Sequence, residues 1–377
     1  MGDKIMTINP LAFATKPIPV KTWIFFVMMV LYIALTLALF FSWIAPSLDG
    51  RTNQHIAADS TTYLYYADTF RNGNIDPFVV VAMSSFPNTL WVPVLIAFVL
   101  KSTFLMVVVN YGMFFLAVAM LKRTFSISIR VFVALLLLNA TTTISLLSVN
   151  KEIVDLLAIS VFFFALHKHW RGLLLLALLV ALLNRFEVCI VMVLWLLANG
   201  RLNPWRRRRL VTLVALTTAL SILLPLVASR DLTRRFAEAS SGRLIAFLDS
   251  LEMHYLYGIA VIPKIAQNLF GELVNVSNWQ TSYGDLSNVA NSYILLLNNL
   301  ATAIVLMILI RKRFLSVRFD LIYFASLGAI IMAVALVIQP RYFYLVYVML
   351  CLQAAHKFAN SWNIVLKHDS NKAIGDG

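Results

Sequence analysis

HKHWRGLLLLALLVALLNRFEVCIVMVLWLLANGRLNPWRRRR, residues 167–209, is the stretch whose reading decides the fold. A long apolar run lies between two basic clusters, His167-Lys168-His169-Trp170-Arg171 before it and Arg201 with Arg206 to Arg209 after it. It is broken once, by Asn184-Arg185-Phe186-Glu187. Lys and Arg beside membrane spans collect on the cytoplasmic side, so both flanks stay inside and the segment folds back as a hairpin. Each leg has about 11–12 residues, roughly 17–18 Å at 1.5 Å per residue, against a hydrocarbon core of about 30 Å. The charged tip therefore stops below the outer surface.

The composition extends this reading to the whole chain. Of 377 residues, 61% are apolar and 13% charged, against roughly 25% charged in a soluble domain. Apolar runs recur across 22–358, so a single all-α polytopic membrane domain over 1–377 is expected. The runs are continuous rather than alternating in period two, which argues against a β-barrel. The first run, 22–45, has no small-residue cleavage motif behind it and reads as a retained span. Cys189 and Cys351 lie in apolar runs and imply no disulfide framework. The net charge of +14 belongs with topology rather than with nucleic acid, because cytoplasmic loops accumulate basic residues.

Taking Lys4, Lys16 and Lys21 as inside, spans follow at 22–45, 103–121, 130–148, 153–166, 172–183, 188–198, 210–228, 291–310, 320–338 and 342–355. That makes about ten, with both termini inside and two large periplasmic loops, 46–100 and 229–291. Within the first loop, 78–100 reads as an interfacial or re-entrant piece interrupted by Pro87 and Pro93. The inner side then carries 20 basic and 4 acidic residues and the outer side 11 and 13, the asymmetry such a topology requires. The tail, 367–377, reads as disordered and cytoplasmic.

A second short hairpin precedes the first, its tip at Asn150-Lys151-Glu152. Charged groups at such depth cost about 2.5–3.5 kcal/mol each unless they face water or partners. Lys151, Glu152, Arg185 and Glu187 therefore suggest a polar cavity that opens outward. The plainer alternative is mutual neutralisation within Lys151–Glu152 and Arg185–Glu187, although neighbours one or two apart on a helix do not face each other. Arg341, in the turn Pro340-Arg341-Tyr342, falls in the same layer, where it is either a clamp or an interfacial snorkel. Lys151, Arg185 and Arg341 come from three separate turns and suit a phosphate or diphosphate, since the Arg fork makes bidentate contacts with phosphate oxygens.

The first outer loop carries Asp59-Ser60, which reads as a helix N-cap, followed by a helix with Asp59, Tyr63, Tyr66 and Phe70 on one face. Asp68 points the other way. Asp59 is then a cap or a general base facing the cavity, and the tyrosines are an aromatic belt or platforms for sugar rings. The second loop offers Arg234, Arg235, Tyr255, Tyr257, Trp279 and Tyr283, with an apolar, Pro-broken stretch at 259–270 suited to the membrane surface. His254 beside Glu252 is a secondary base candidate. His167 and His169 read as part of a basic collar at the headgroups rather than as metal ligands. No metal or cofactor is expected, and no Gly-rich phosphate loop is present. No internal repeat is visible, unlike the paired halves expected of many secondary transporters.

An early outer-loop Asp before a Tyr-rich helix, an Asp76-Pro77-Phe78, an Asn-Lys-Glu tip, a further Arg-bearing tip and a late Arg-Tyr turn together resemble bacterial O-antigen and exopolysaccharide polymerases of the Wzy type. More broadly they resemble GT-C-class membrane glycosyltransferases. The likeness covers the membrane domain as a pattern of topology and polar tips; the span count is lower than in many such polymerases. It implies glycosyl transfer from an undecaprenyl-diphosphate-linked oligosaccharide to an acceptor on the periplasmic face of the bacterial inner membrane. Lys151, Arg185 and Arg341, with Arg234 or Arg235, would then hold the departing diphosphate. Asp59 would accept the hydroxyl proton, with Glu187 and Glu152 as rivals, and Tyr63, Tyr66 and Tyr342 would stack on sugars. Membrane lipid and a separate chain-length regulator are the partners implied. The competing expectations are a transferase using polyprenyl-monophosphate sugars and a flippase or transporter for lipid-linked oligosaccharides.

Overall fold

The computed structural model describes residues 22–48, 58–73, 91–200, 203–227, 247–248, 250–251, 254–274, 286–334 and 340–375. Among them every regular element is helical and no strand occurs. In chain order these are α1 (Thr22–Leu39), which runs through a π-helical turn (Phe40–Ile44) into Ala45–Leu48, then α2 (Ala58–Arg71), α3 (Trp91–Leu100), α4 (Thr103–Thr124), α5 (Ile129–Leu137) and α6 (Ala140–Leu147). There follow α7 (Lys151–Lys168), α8 (Arg171–Asn184), α9 (Phe186–Asn199), α10 (Arg209–Val227), α11 (Tyr257–Val274), α12 (Leu286–Arg311), α13 (Asp320–Met332), a 3-10 turn (Pro340–Phe343) and α14 (Tyr344–Gly375).

Among the described residues three helices are long and apolar enough to cross a membrane: Trp23–Leu48, Thr103–Thr124 and Ile294–Arg311. The pair α5 and α6 makes a fourth if it is one broken span. Over 130–148, where a span is expected, the two helices meet at 85°. Asn139 sits at the break and accepts a hydrogen bond from Thr141 N at 2.9 Å, capping α6 and starting a new helix where the old one would have continued. The legs α8 and α9 have 14 residues each, longer than the apolar runs alone because Arg171 and Asn184 join the first and Phe186, Glu187 and Asn199 the second. About 21 Å is still short of a core of about 30 Å. The tail expected to be disordered continues α14 as far as Gly375, and 360–374 contains neither Gly nor Pro to stop it.

Burial sorts the helices into a centre and a lipid-facing ring. From Leu321 to Ala333 and from Phe343 to Ala355, α13 and α14 bury nearly every residue. Apolar lipid gives packed helices no hydrophobic drive toward each other, so small side chains and close fit must hold them. Gly328 meets this need: a Cβ there would stand 3.4 Å from Leu345 Cδ2 and 3.7 Å from Val346 Cγ2. By contrast α1 exposes Trp23, Phe26, Met28, Leu31 and Leu35, and α8 exposes Leu175, Leu176, Leu179 and Leu182.

Polar side chains fasten the irregular joints. Asn110 of α4, 3% exposed, donates from Nδ2 to Ser145 O (3.1 Å), Leu146 O (3.3 Å) and Ser148 O (2.8 Å). It thereby collects the carbonyls that end α6, which have no helical partner. Asn110→Leu is expected to destabilise by about 1–3 kcal/mol, since buried acceptors are left unmet; thermal unfolding in detergent measures it, and an unchanged midpoint would deny the fastening role. The α7–α8 turn uses His169 at φ 56°, with His169 N bonded to Leu166 O and Trp170 N to Ala165 O. This left-handed cap reverses the chain between the two legs.

Candidate functional site: a charged cluster at the helix tips

The cluster is assembled from three turns. Lys151, Glu152 and Asp155 lie at the start of α7, where Glu152 in the first turn suits the positive end of the helix dipole. Arg185 is the single non-helical residue between α8 and α9, extended at φ −157° and ψ 104°. The two short legs thus end on one guanidinium. Arg341 and Tyr342 come from the 3-10 turn that leads into α14.

Arg185, 5% exposed, faces two carboxylates that are each 2% exposed. Its Nη2 stands 3.1 Å from Glu152 Oε1 and its Nε 3.5 Å from Asp155 Oδ2. The other two oxygens are met as well. Ser145 Oγ lies 3.4 Å from Glu152 Oε2, and Asn184 Nδ2 donates to Asp155 Oδ1 at 2.6 Å and to Lys151 O at 3.0 Å. A buried carboxylate is tolerable only when its charge is paired and its lone pairs are filled, and both conditions hold here.

Aromatic rings spread the cluster sideways. The Tyr342 ring lies 5.5 Å from Arg185 Cζ and 5.7 Å from Arg341 Cζ, so it stands between two guanidinium groups. Lys151 Nζ lies 5.8 Å above the Tyr63 ring. Arg341 also acts electrostatically on Glu152, Lys151 on Asp155, and Glu187 on Arg185. Three cations and three carboxylates therefore share one region. Three acceptor oxygens there, Asn150 Oδ1, Asn184 Oδ1 and Glu187 Oε2, are buried with no hydrogen-bond donor among the described residues. Oxygens of this kind call for water or a ligand hydroxyl.

The structure thus brings together Lys151, Glu152, Arg185, Glu187, Arg341, Tyr63 and Tyr342. The simple neutralisation read from sequence is corrected: Arg185 pairs across helices with Glu152 and Asp155. Tyr63, 2% exposed, packs with Ala67, Val94 and Ala97, so its surface is taken up by protein; Tyr66 is half-buried. Asp59 stands in the first turn of α2, with its side chain outside the described residues; beside it Ser60 Oγ donates to Val149 O at 2.7 Å, tying α2 to the Asn150 tip. Asp68, on the exposed face, pairs with Arg71 at 2.6 Å. Arg234, Arg235, Glu252, Trp279, Tyr283 and Asp76-Pro77-Phe78 lie outside the described residues. His254 sits in an exposed turn before α11, Nδ1 at 2.7 Å from Ser250 O. Tyr257, one of the second loop's aromatics, is fully buried and donates its hydroxyl to Ile330 O. The 259–270 stretch forms part of α11, which packs on α10, α12 and α13.

Asp155 is the member that sequence reading passed over, because it sits inside an apolar run. The signal was its spacing: three residues after Glu152 and four after Lys151, it falls on their helix face. No protein family, curated protein or solved structure matches the chain. Fold and cluster themselves define the class: an all-helical protein with three to four candidate membrane spans and a buried charged cluster where α7, α8 and α14 meet.

Proposed function

We propose that this protein is a glycosyltransferase of the polysaccharide-polymerase kind, joining polyprenyl-diphosphate-linked oligosaccharide units at the outer face of a bacterial inner membrane. On this reading α7, α8, α9, α10, α13 and α14 join the four candidate spans to make about ten crossings, and the tips of α7 and α8 open to the periplasm. The observation that carries it is the gathering of Lys151, Arg185 and Arg341 from three turns, the two arginines at the Tyr342 ring and Lys151 at Tyr63, beside buried acceptor oxygens. Arg185 is held by Glu152 and Asp155, so it sets the shape of the site, while Lys151 and Arg341 at its half-buried rim meet the departing diphosphate. Electrostatic stabilisation of that leaving group is the main work required. Asp59, or Glu187 through its unmet Oε2, accepts the proton of the incoming hydroxyl, and Tyr66 and Tyr342 line the sugar path.

The test is a reconstitution. Purified protein in detergent, given a polyprenyl-diphosphate oligosaccharide, is expected to yield a ladder of longer products, and Asp59→Asn is expected to abolish it with expression intact. An unchanged ladder from Asp59→Asn removes that residue from the chemistry.

One observation favours a second reading, a flippase or transporter for lipid-linked oligosaccharide. Two carboxylates sharing one Arg within the membrane-embedded part are a pattern found along transport pathways. Transfer across liposomes with no lengthened product would choose that reading, and elongation of a monophosphate-linked sugar donor alone would choose the related single-sugar transferase.

A further inference from the structure

Between α10, α11, α12, α13 and α14 lies a groove of about 730 Å³. Its walls include Leu213, Val214, Ile262, Leu306, Leu315 and Ile322. Val214, Ile262 and Leu315 are exposed there, so the groove opens toward the surrounding bilayer. Apart from Tyr255, which lies at the exposed edge, the few polar side chains on its walls already donate their hydroxyls within their own helices. Thr217 Oγ1 bonds Leu213 O at 2.8 Å, Thr218 Oγ1 bonds Val214 O at 3.0 Å, and Ser326 Oγ bonds Ile322 O at 2.9 Å. Ser221 Oγ donates to Thr217 O and accepts from Gly258 N, each at 3.0 Å. A lining this apolar, with few hydrogen bonds to offer, suits a hydrocarbon chain better than a sugar.

One mouth of this groove is strongly basic. Arg209 begins α10, one turn before Leu213, and donates from Nη1 to Val317 O (3.3 Å) and Arg318 O (2.7 Å). It also pairs with Asp320 at the start of α13. The latch draws the start of α10, the 312–319 connection and the start of α13 to one place, with Leu315 of that connection in the groove wall. Around it Arg206, Arg207, Arg208, Arg311, Arg313 and Arg318 are exposed. Asp320, the only carboxylate within residues 203–227 and 305–325, is already engaged by Arg209. Trp205, 48% exposed, stands at the same level, as interfacial aromatics do.

We propose that this groove is a binding site for an anionic phospholipid of the cytoplasmic leaflet, with an acyl chain along the groove and the phosphate on the arginines at its mouth. Charge complementarity selects the occupant: zwitterionic lipid offers the chain without net charge, and a free phosphate offers the charge without the chain. Basic pockets between membrane helices on the cytoplasmic side recognise anionic headgroups in this way. The proposal rests on the membrane class and on the arginine-rich side being cytoplasmic, and it stands or falls apart from the glycosyl-transfer reading.

The experiment uses the full chain in detergent, titrated with phosphatidylglycerol, phosphatidylcholine or glycerol phosphate. Native mass spectrometry counts the retained lipid, and thermal unfolding reads its effect. Phosphatidylglycerol is expected to be retained and to raise the unfolding midpoint, while the other two probes do neither. R206Q/R207Q/R208Q is expected to lower apparent affinity about a hundredfold, at about fivefold per arginine near the headgroup. Thr218→Trp, which fills the groove from an exposed position and leaves the arginines alone, is expected to abolish retention of the lipid with the unliganded midpoint unchanged. Equal retention of phosphatidylcholine overturns the proposal. So does undiminished binding to Thr218→Trp, which assigns the lipid to the basic surface alone, or a lipid-free dimer whose interface covers the groove.

Discussion

Arg185→Leu is expected to strip Glu152 and Asp155 of their shared ion-pair partner and to destabilise the protein by about 3–5 kcal/mol, the cost of breaking a buried ion pair by removing one partner. The expectation follows from burial and from the 3.1 Å and 3.5 Å approaches of the guanidinium to the two carboxylates. Fluorescence-detected size-exclusion chromatography after heating reads the loss as a fall in the unfolding midpoint. Adding Glu152→Gln and Asp155→Asn to the same chain removes the stranded charges, so the triple variant is expected to recover most of the stability. If Arg185→Leu alone unfolds at the wild-type temperature, the cluster is wet enough to screen its charges and the description of Arg185 as a buried tie is wrong. If the triple variant is as unstable as the single one, the loss comes from the Asn184-Arg185 turn and not from charge.

Arg341→Ala is expected to behave in the opposite way, leaving the unfolding midpoint almost unchanged and lowering polymer formation by about 10²–10³-fold, as when one preorganised donor to a developing anion is removed. Arg341 is half-buried, and its ring partner Tyr342 keeps a second guanidinium, that of Arg185, when it is gone. Arg341→Lys preserves the charge but not the planar fork and is expected to fall between the two. The readout is the ladder of lengthened oligosaccharide made by purified protein, alongside the midpoint. A full ladder from Arg341→Ala excludes this residue from the leaving-group clamp. A collapsed midpoint assigns it to structure instead.

The pair of predictions separates roles that look alike in one dimension. Lys151, Arg185 and Arg341 all read from sequence as cations at turns in an apolar chain. In three dimensions Arg185 is buried in direct ion pairs with two carboxylates, whereas Lys151 and Arg341 are half-buried beside aromatic rings and act on the same carboxylates electrostatically. The fold-back at Asn184-Arg185 was legible because basic flanks and short apolar legs leave no other path. The 85° break at Asn139 was not. An Asn followed by Ala and three Thr residues is tolerated within a helix or used as a cap, and the tertiary bonds from Asn298 to Thr141 help decide which.

Membrane class and a helical chain with charged tips followed from the sequence alone, because hydropathy and the placement of Lys and Arg are properties of short stretches and act locally on the bilayer. The partners within the tips were decided only by the tertiary structure. Arg185 and Glu152 are 33 residues apart, and Arg341 reaches the same cluster from far later in the chain; which of several carboxylates faces a guanidinium depends on helix rotation and packing. The groove behind Arg209 has the same origin, since its wall residues read singly as ordinary apolar positions until five helices leave a space between them.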